Sequence, residues 1–290
     1  MITGPFPGAK PGISLGNVRL LSLTCCLALT VAAGCGGPEF QAGGSATDAG
    51  GDVTTGPADG GSWCSSRTPL FCEDFDEYAT INDLYASSKW TSHSETAGSF
   101  RLTTSTSPPS PPNSLEVIGG DGAAVLLVKT FEPLATTAKH ARLEFDLRID
   151  SPGTPGLLVA GGFAAISFGT GIDDGYVALV VANGPQLAMA WGTSADAGLR
   201  VDAGTAGLAH VMTFPASGRW ADRFAIDIDY TQSCVQVFDG TSPQLGSCVP
   251  LPPELLARRT LSIVLGDYVV GLGNVGQMDL EFDDVTFDTQ

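Results

Sequence analysis

The spacing of apolar and polar positions changes character at Trp63. Beyond it the chain is written in short runs of period two, separated by Gly, Pro, Asn and Asp, which is the pattern of an all-β sandwich. Leu143, Phe145, Leu147 and Ile149 alternate with Glu144, Asp146, Arg148 and Asp150, so one face of that strand is core and the other is wet. Phe224, Ile226 and Ile228 alternate with Asp227 and Asp229, and a further strand follows over Cys234 to Phe238. Tyr176 to Ala182 and Gln186 to Trp191 are apolar runs around Asn183-Gly184-Pro185, a predicted hairpin. Leu261 to Leu265 and Met278 to Phe287 supply the last two strands. On the final strand Met278, Leu280 and Phe282 are apolar at even positions, whereas Val285 and Phe287 continue at odd ones; that change of parity predicts a bulge at Asp283-Asp284. Only Pro253 to Arg259 reads as helix, for about one and a half turns.

Before Trp63 the pattern is different in kind. Leu20 to Ala33 is an apolar run of 14 residues broken only by Ser and Thr, short of the ~20 needed to span a bilayer and suited to the apolar region of an export signal. Residues 1 to 17 carry only Lys10 as a charge, and a start at Val18, just before Arg19, would leave the mature chain unchanged. Val31-Ala32-Ala33-Gly34-Cys35 resembles a bacterial lipobox. That resemblance implies a diacylglyceryl group on Cys35, cleavage after Gly34 and acylation of the new amino terminus, with insertion in a lipid bilayer. Gly36 and Gly37 carry no acidic retention signal, which by the same analogy points to the outer membrane. Gly36 to Ser62 is dominated by Gly, Ala, Thr and Asp, too poor in apolar surface to repay the entropy of ordering. A flexible chain of these 27 residues would span roughly 30 Å. The predicted organisation is therefore a lipoprotein signal over 1–34, a lipidated cysteine and linker over 35–62, and one domain over 63–290.

Charge and cysteines narrow the partners. Lys and Arg number 14 against 31 Asp and Glu, a net charge of −17, and an acidic surface of this kind repels phosphate backbones and anionic head groups. Nucleic acid is excluded as an expected partner; divalent cations and neutral polymers are not. Of seven cysteines, Cys25 and Cys26 lie in the leader and Cys35 is the lipidation candidate. The even set Cys64, Cys72, Cys234 and Cys248 predicts two disulfides in an exported domain. Three connectivities are open, and the local pairs Cys64–Cys72 and Cys234–Cys248 are favoured because each closes a short segment rich in turn residues.

Leu70-Phe71-Cys72-Glu73-Asp74-Phe75-Asp76 followed by Trp90, then Ser114-Leu115-Glu116-Val117, Gly218-Arg219-Trp220 leading into Phe224-Ala225-Ile226-Asp227, and the closing Leu280-Glu281-Phe282-Asp283-Asp284-Val285, resemble a concanavalin A-like lectin/glucanase jelly roll. More narrowly, they are similar to the LamG-like domains of exported bacterial lipoproteins. The resemblance covers residues 63 to 290 and implies a two-sheet antiparallel jelly roll, a fold that hosts many functions. Retaining glucanases of this fold carry Glu-x-Asp-x-x-Glu on one strand, with nucleophile and acid about 5–5.5 Å apart. Glu144 and Asp146 match the first two positions, but Ile149 occupies the third and alternation points it into the core. A solvated strand face, with Arg148 balancing two acids, is the better reading.

The remaining motifs are weaker still. Gly271-Leu272-Gly273-Asn274-Val275-Gly276 spells a dinucleotide fingerprint, yet it lies between two strands with no helix to receive a pyrophosphate. His93, His140 and His210 have no Cys or His at metal-ligand spacing. No nucleophile elbow of the Gly-x-Ser-x-Gly form appears. Trp90, Trp191, Trp220, Tyr176 and Tyr268 could stack on sugar rings; Trp90 and Trp220 are assigned to the core, and Trp191 and Tyr268, beside glycines, to a rim where they could bind ligand. Asp74 and Asp76 share a face of the first strand. First and last strands are neighbours in the resembled fold, so these acids should meet Asp283 and Asp284 in a structural Ca²⁺ site, as related jelly-roll modules do; the alternative is a solvated acidic edge. The expected function is non-catalytic binding of a glycan or a surface protein, with a polysaccharide-active hydrolase or lyase and a purely structural envelope protein as alternatives.

Overall fold

The computed structural model describes residues 63–104, 108–120, 124–152, 159–170, 174–182, 186–192, 206–213, 219–220, 223–271 and 276–290. The chain divides into two units, Met1–Val53 and Thr54–Gln290, and every described residue belongs to the second. The leader, Cys35 and the linker through Ser62 lie outside the described residues, as do Leu272 to Val275 of the glycine-rich motif.

A 3-10 turn, Trp63–Ser66, precedes β1 (Phe71–Glu73), α1 (Ile81–Ala86), β2 (Ser92–Thr96), β3 (Ser99–Thr103), β4 (Ser114–Ile118), β5 (Ala124–Thr130) and β6 (His140–Pro152). Then come β7 (Val159–Ser167), β8 (Tyr176–Ala182), β9 (Gln186–Gly192), β10 (Ala206–Thr213), β11 (Phe224–Asp229) and β12 (Cys234–Asp239). The domain closes with β13 (Ser242–Pro243), β14 (Val249–Pro250), α2 (Pro253–Leu256), β15 (Ser262–Gly271) and β16 (Met278–Thr289). One sheet runs β13-β12-β11-β6-β16-β4-β3, with β1 on β16 and β14 on β12; the other runs β10-β9-β8-β7-β15-β5-β2. All pairings are antiparallel and the chain crosses repeatedly between the two sheets, a jelly-roll sandwich.

The register follows the sequence pattern. Along β6, Ala141, Leu143, Phe145, Leu147 and Ile149 are buried in the core while the intervening side chains are half-buried on the opposite face. Phe145, Phe163, Phe224 and Phe282 meet between the sheets. On β16 the pairing with β6 shifts between Asp283 and Thr286, and Asp284 adopts φ 51, so the predicted bulge is there. First and last strands pair as expected, Phe71 opposite Phe287.

Two features depart from the pattern reading. The second sheet is apolar on both faces: besides the main core, Val128, Ala165, Tyr176, Ala178, Val180, Ala188, Val264 and Tyr268 form a separate buried cluster. This is why β8 reads as an unbroken apolar run instead of alternating. Tyr268, expected at a rim, is 4 % exposed, because Gly162 on β7 leaves room for its ring: a Cβ there would lie 2.0 Å from it. The second departure is α1, which periodicity over six residues cannot reveal. It is set by a capping box in which the Thr80 hydroxyl receives the Asp83 N–H and the Asp83 carboxylate receives the Thr80 N–H, and it is anchored by buried Leu84. Among the described residues no helix is long and apolar enough to cross a membrane.

The disulfides join Cys64 to Cys72 and Cys234 to Cys248, the local pairs. Such bonds form and persist in oxidising compartments, which suits an exported protein.

Candidate functional site

The polar face of the first sheet concentrates the chemistry. Alternation on β6 turns Glu144, Asp146, Arg148 and Asp150 to this face, and β16 adds Glu281, Thr286 and Asp288 beside them. Arg223, just before β11, lies across the rows. Its Nε donates to Glu144 at 3.0 Å, Nη1 to Asp146 at 3.4 Å and Nη2 to Thr286 at 3.0 Å. Arg142 donates to Glu144 at 2.5 Å and to Asp227 at 3.3 Å. Arg148 pairs with Asp150 and Glu281, both at 2.9 Å. The two acids balanced by Arg148 are thus not Glu144 and Asp146, whose charges are met by Arg142 and Arg223. The Trp63 ring lies beneath two guanidiniums, those of Arg67 at 3.8 Å and Arg223 at 4.6 Å.

A groove of about 400 Å³ opens on this face, with Arg142, Glu144, Thr286 and Asp288 on its floor and Ser66, Arg67, Thr68 and Gln290 along its sides. Its lining is hydroxyl, guanidinium, carboxylate and amide, suited to a hydroxyl-rich ligand and poorly suited to an apolar one. Burial pushes the Glu144 carboxyl up, but hydrogen bonds and charges from Arg142 and Arg223 outweigh it and hold the group below the usual carboxylate range. Glu144 is therefore an acceptor at neutral pH, not a proton donor. Ile149, at the position of the second glucanase acid, is 2 % exposed and part of the core.

At one end of the groove face the segment after β1 and the bulge of β16 put the four predicted aspartates within electrostatic reach of one another. β1 ends at Glu73 and Phe75 turns the chain at φ 59, so Asp74 and Asp76 stand beyond the first strand and do not share a face of it as expected. Ser110 donates its N–H to Asp283 at 3.0 Å, and its hydroxyl reaches Asp284 at 2.6 Å and Asp283 at 3.3 Å. Asp76 accepts the Asn113 N–H at 2.9 Å, and Asp74 accepts the Cys64 N–H at 2.9 Å. Burial and the neighbouring Asp284 charge push Asp283 up to about 9. Burial and the nearby Asp146 push Asp284 up to about 7, and burial with the charges of Asp74 and Asp284 pushes Asp76 up to about 6. Asp146 is likewise raised by burial, against the charge of Arg223. Among the described residues no three His, Cys, Asp or Glu are grouped to hold a metal ion.

The aromatic candidates are spread out. Trp90 is buried and donates its ring N–H to Glu73 at 3.2 Å. Trp220, assigned to the core, is only half-buried and bridges to Arg148 at the polar face, because it stands outside the regular strands. Trp191 is half-buried, packed on the main core and lying over Gly207, where a Cβ would be 1.9 Å away. Tyr176 and Tyr268 sit in the second apolar cluster. Neither aromatic ligand candidate, Trp191 or Tyr268, lines the groove. The groove residues Arg142 and Thr286, Arg223 beside them and Ser110 at the aspartates carry no sequence motif; the one available signal is that Arg142 and Arg223 each occupy or adjoin an outward register position beside an acid.

No family model matches the sequence, and no curated protein matches it. Among solved structures the chain is similar to a sialidase, with a TM-score of 0.47, 12 % identity, and coverage of 75 % of this chain and 18 % of that one. It is also similar to a cellulose-induced protein, Cip1, with a TM-score of 0.47, 13 % identity, and coverage of 76 % of this chain and 97 % of that one. A third likeness is to LamAcat from Zobellia galactanivorans, with a TM-score of 0.44, 9 % identity, and coverage of 77 % and 98 %. The chain spans 18 % of the sialidase's length.

Proposed function

We propose that this is an exported lipoprotein, anchored in the outer membrane through Cys35, whose jelly-roll domain binds a glycan without cleaving it. One observation carries the binding reading: Glu144 lies on the floor of a polar groove, held between two guanidiniums as a fixed acceptor, while the position for a partner acid is filled by buried Ile149. Fixed acceptors and donors around a groove of about 400 Å³ suit a row of sugar hydroxyls and do not supply the acid and nucleophile of a glycosidase. A protein on a neighbouring surface is the alternative occupant.

Binding is tested by calorimetry against a panel of soluble β-glucans, with Arg142→Gln and Glu144→Gln expected to weaken the best ligand about tenfold each. Turnover of any panel member, abolished in Glu144→Gln, would replace the binding reading with an enzymatic one. Anchoring is tested separately: Cys35→Ser should leave the protein unprocessed or released, and globomycin should shift its gel mobility. Unchanged mobility would remove the lipoprotein reading and leave the groove proposal intact.

A further inference from the structure

Arg258 and Arg259 follow α2 and reach a second depression, of about 380 Å³, walled also by Thr170, Asp174 and Thr260 and sharing no residue with the groove. Its walls are fixed by the fold. Where β7 leaves for β8, Phe168 N–H donates to the Gly175 carbonyl at 2.8 Å, and the Ser262 hydroxyl donates to the Gly169 carbonyl at 2.7 Å. Thr170 N–H donates to Asp174 Oδ2 at 3.0 Å. Opposite, Arg258 Nη1 donates to the Phe168 carbonyl at 3.3 Å, and the Arg259 guanidinium lies 4.3 Å over the Tyr230 ring.

Two guanidiniums stand side by side here in a strongly acidic molecule. The chain has 31 acidic residues for 14 Lys and Arg, and Lys89, Arg142, Arg148 and Arg223 are each paired with carboxylates. Arg258 and Arg259 make no ion pair among the described residues, and Arg259 Nη1 is buried without a hydrogen-bond partner. A buried guanidinium N–H without an acceptor is a cost that the fold bears when no ligand is bound. The stack of Arg259 on Tyr230 and the bond from exposed Arg258 to the Phe168 carbonyl remove part of the entropy that a free arginine loses on binding.

We propose that this depression binds the carboxylate of an acidic sugar, a uronate unit of a polysaccharide. Guanidiniums match a planar carboxylate in a forked geometry, which accounts for the two arginines. Asp174 beside them has no role in holding an anion; it is an acceptor for hydroxyls, and Thr170 and Thr260 add hydroxyls that both donate and accept. A ligand carrying a carboxylate and ring hydroxyls offers a partner to each of these groups, whereas the side chains of an acidic peptide would use the arginines and bring no hydroxyl to Asp174 or the threonines.

The purified full-length protein is titrated by calorimetry with trigalacturonate, with neutral galactotriose and with triglutamate. Trigalacturonate should bind at least about tenfold more tightly than either of the others. Arg259→Gln should weaken it about tenfold and Arg258→Gln several-fold, and raising salt from about 0.05 to 0.5 M should weaken it further. Equal binding of galactotriose, equal binding of triglutamate, or no loss in Arg258→Gln would each overturn the proposal. Should Arg259→Gln fail to fold through loss of its stack on Tyr230, Arg258→Gln and the shift of arginine side-chain N–H resonances on titration carry the same decision. The groove plays no part in the outcome, so failure here leaves the β-glucan proposal standing, and the reverse.

Discussion

Asp267 projects from β15 toward Gly119, where an added Cβ would stand 1.4 Å from its Oδ2, and that oxygen is buried without a hydrogen-bond partner. Burial alone pushes its carboxyl from 3.8 up to about 7. Between those values the folded state holds a proton that the unfolded chain has released, so stability is greatest at the low end and falls as pH rises toward 7, then levels. The contribution is at most about 4 kcal/mol, at 1.36 kcal/mol per pH unit. Urea denaturation at pH 5 and pH 8 should show the loss, and Asp267→Asn should flatten it; an unchanged slope would mean that the carboxyl is hydrated. For Asp283, Asp284 and Asp76 a different measurement applies. Because Ser110 and Asn113 already donate to them, excess Ca²⁺ and then EDTA should leave the melting temperature unchanged. Saturation at a hundred times the dissociation constant would instead add about 2.7 kcal/mol, and such a rise would mean that the acids rearrange around the ion expected from the sequence.

Single strands show where pattern reasoning reaches and where it stops. β6 was legible in full because its two faces differ in polarity, and the bulge in β16 was legible because a change of parity has one simple cause. The apolar second face around β8 and β9 was not: a continuous run of Ala, Val and Leu says that both sides are dry and nothing about what they meet. The groove face was illegible for another reason: Arg142 stands two residues from Glu144 on β6, but Arg223 is brought to the same carboxylate by pairing between β6 and β11, across 79 residues of sequence. The same holds for Glu73 at the end of β1. It is fully buried and accepts from the Phe75 N–H, the Tyr78 hydroxyl and the Trp90 ring N–H, and it pairs with Lys89 at 3.5 Å. Glu73→Ala leaves those buried donors without an acceptor and should cost about 3 kcal/mol by denaturant unfolding, with Glu73→Gln costing less. Loss of under 1 kcal/mol in the alanine variant would mean that water replaces the carboxylate. Removing the Cys234–Cys248 bond, which closes a separation of 14 residues between β12 and the segment entering β14, should cost roughly 3 kcal/mol in the same assay.

For the molecule as a whole, the acids act together. Glu73, Asp76, Glu116, Asp146, Asp267, Asp279, Asp283 and Asp284 are all raised, each chiefly by burial, against lowered values for Glu77, Glu144 and Asp229. The raised groups lose their contribution as pH climbs, and a net charge of −17 adds repulsion in the same direction. Melting temperature should therefore peak on the acidic side of neutrality and decline steadily to pH 9; a plateau from pH 6 to 9 would contradict the burial of these acids. At the acid end the lowered groups act in the opposite sense, and stability falls as pH drops below the ordinary Glu value of 4.5 and Glu144 loses its arginine pairs.

The pairing of β1 with β16 also decides how the domain answers a pull. Tension transmitted along the chain from the residues before Trp63 reaches Cys64 and crosses the disulfide directly to Cys72, so the intervening segment bears no load. It then falls on a strand of three residues lying antiparallel to β16, whose far end is the carboxyl terminus. Drawn from its amino side and held at Gln290, that strand parts from its neighbour one rung at a time, whereas strands loaded along their length must break their rungs together. In an optical trap the domain should yield at lower force when held by its two termini than when held by residue 63 and an attachment on β12.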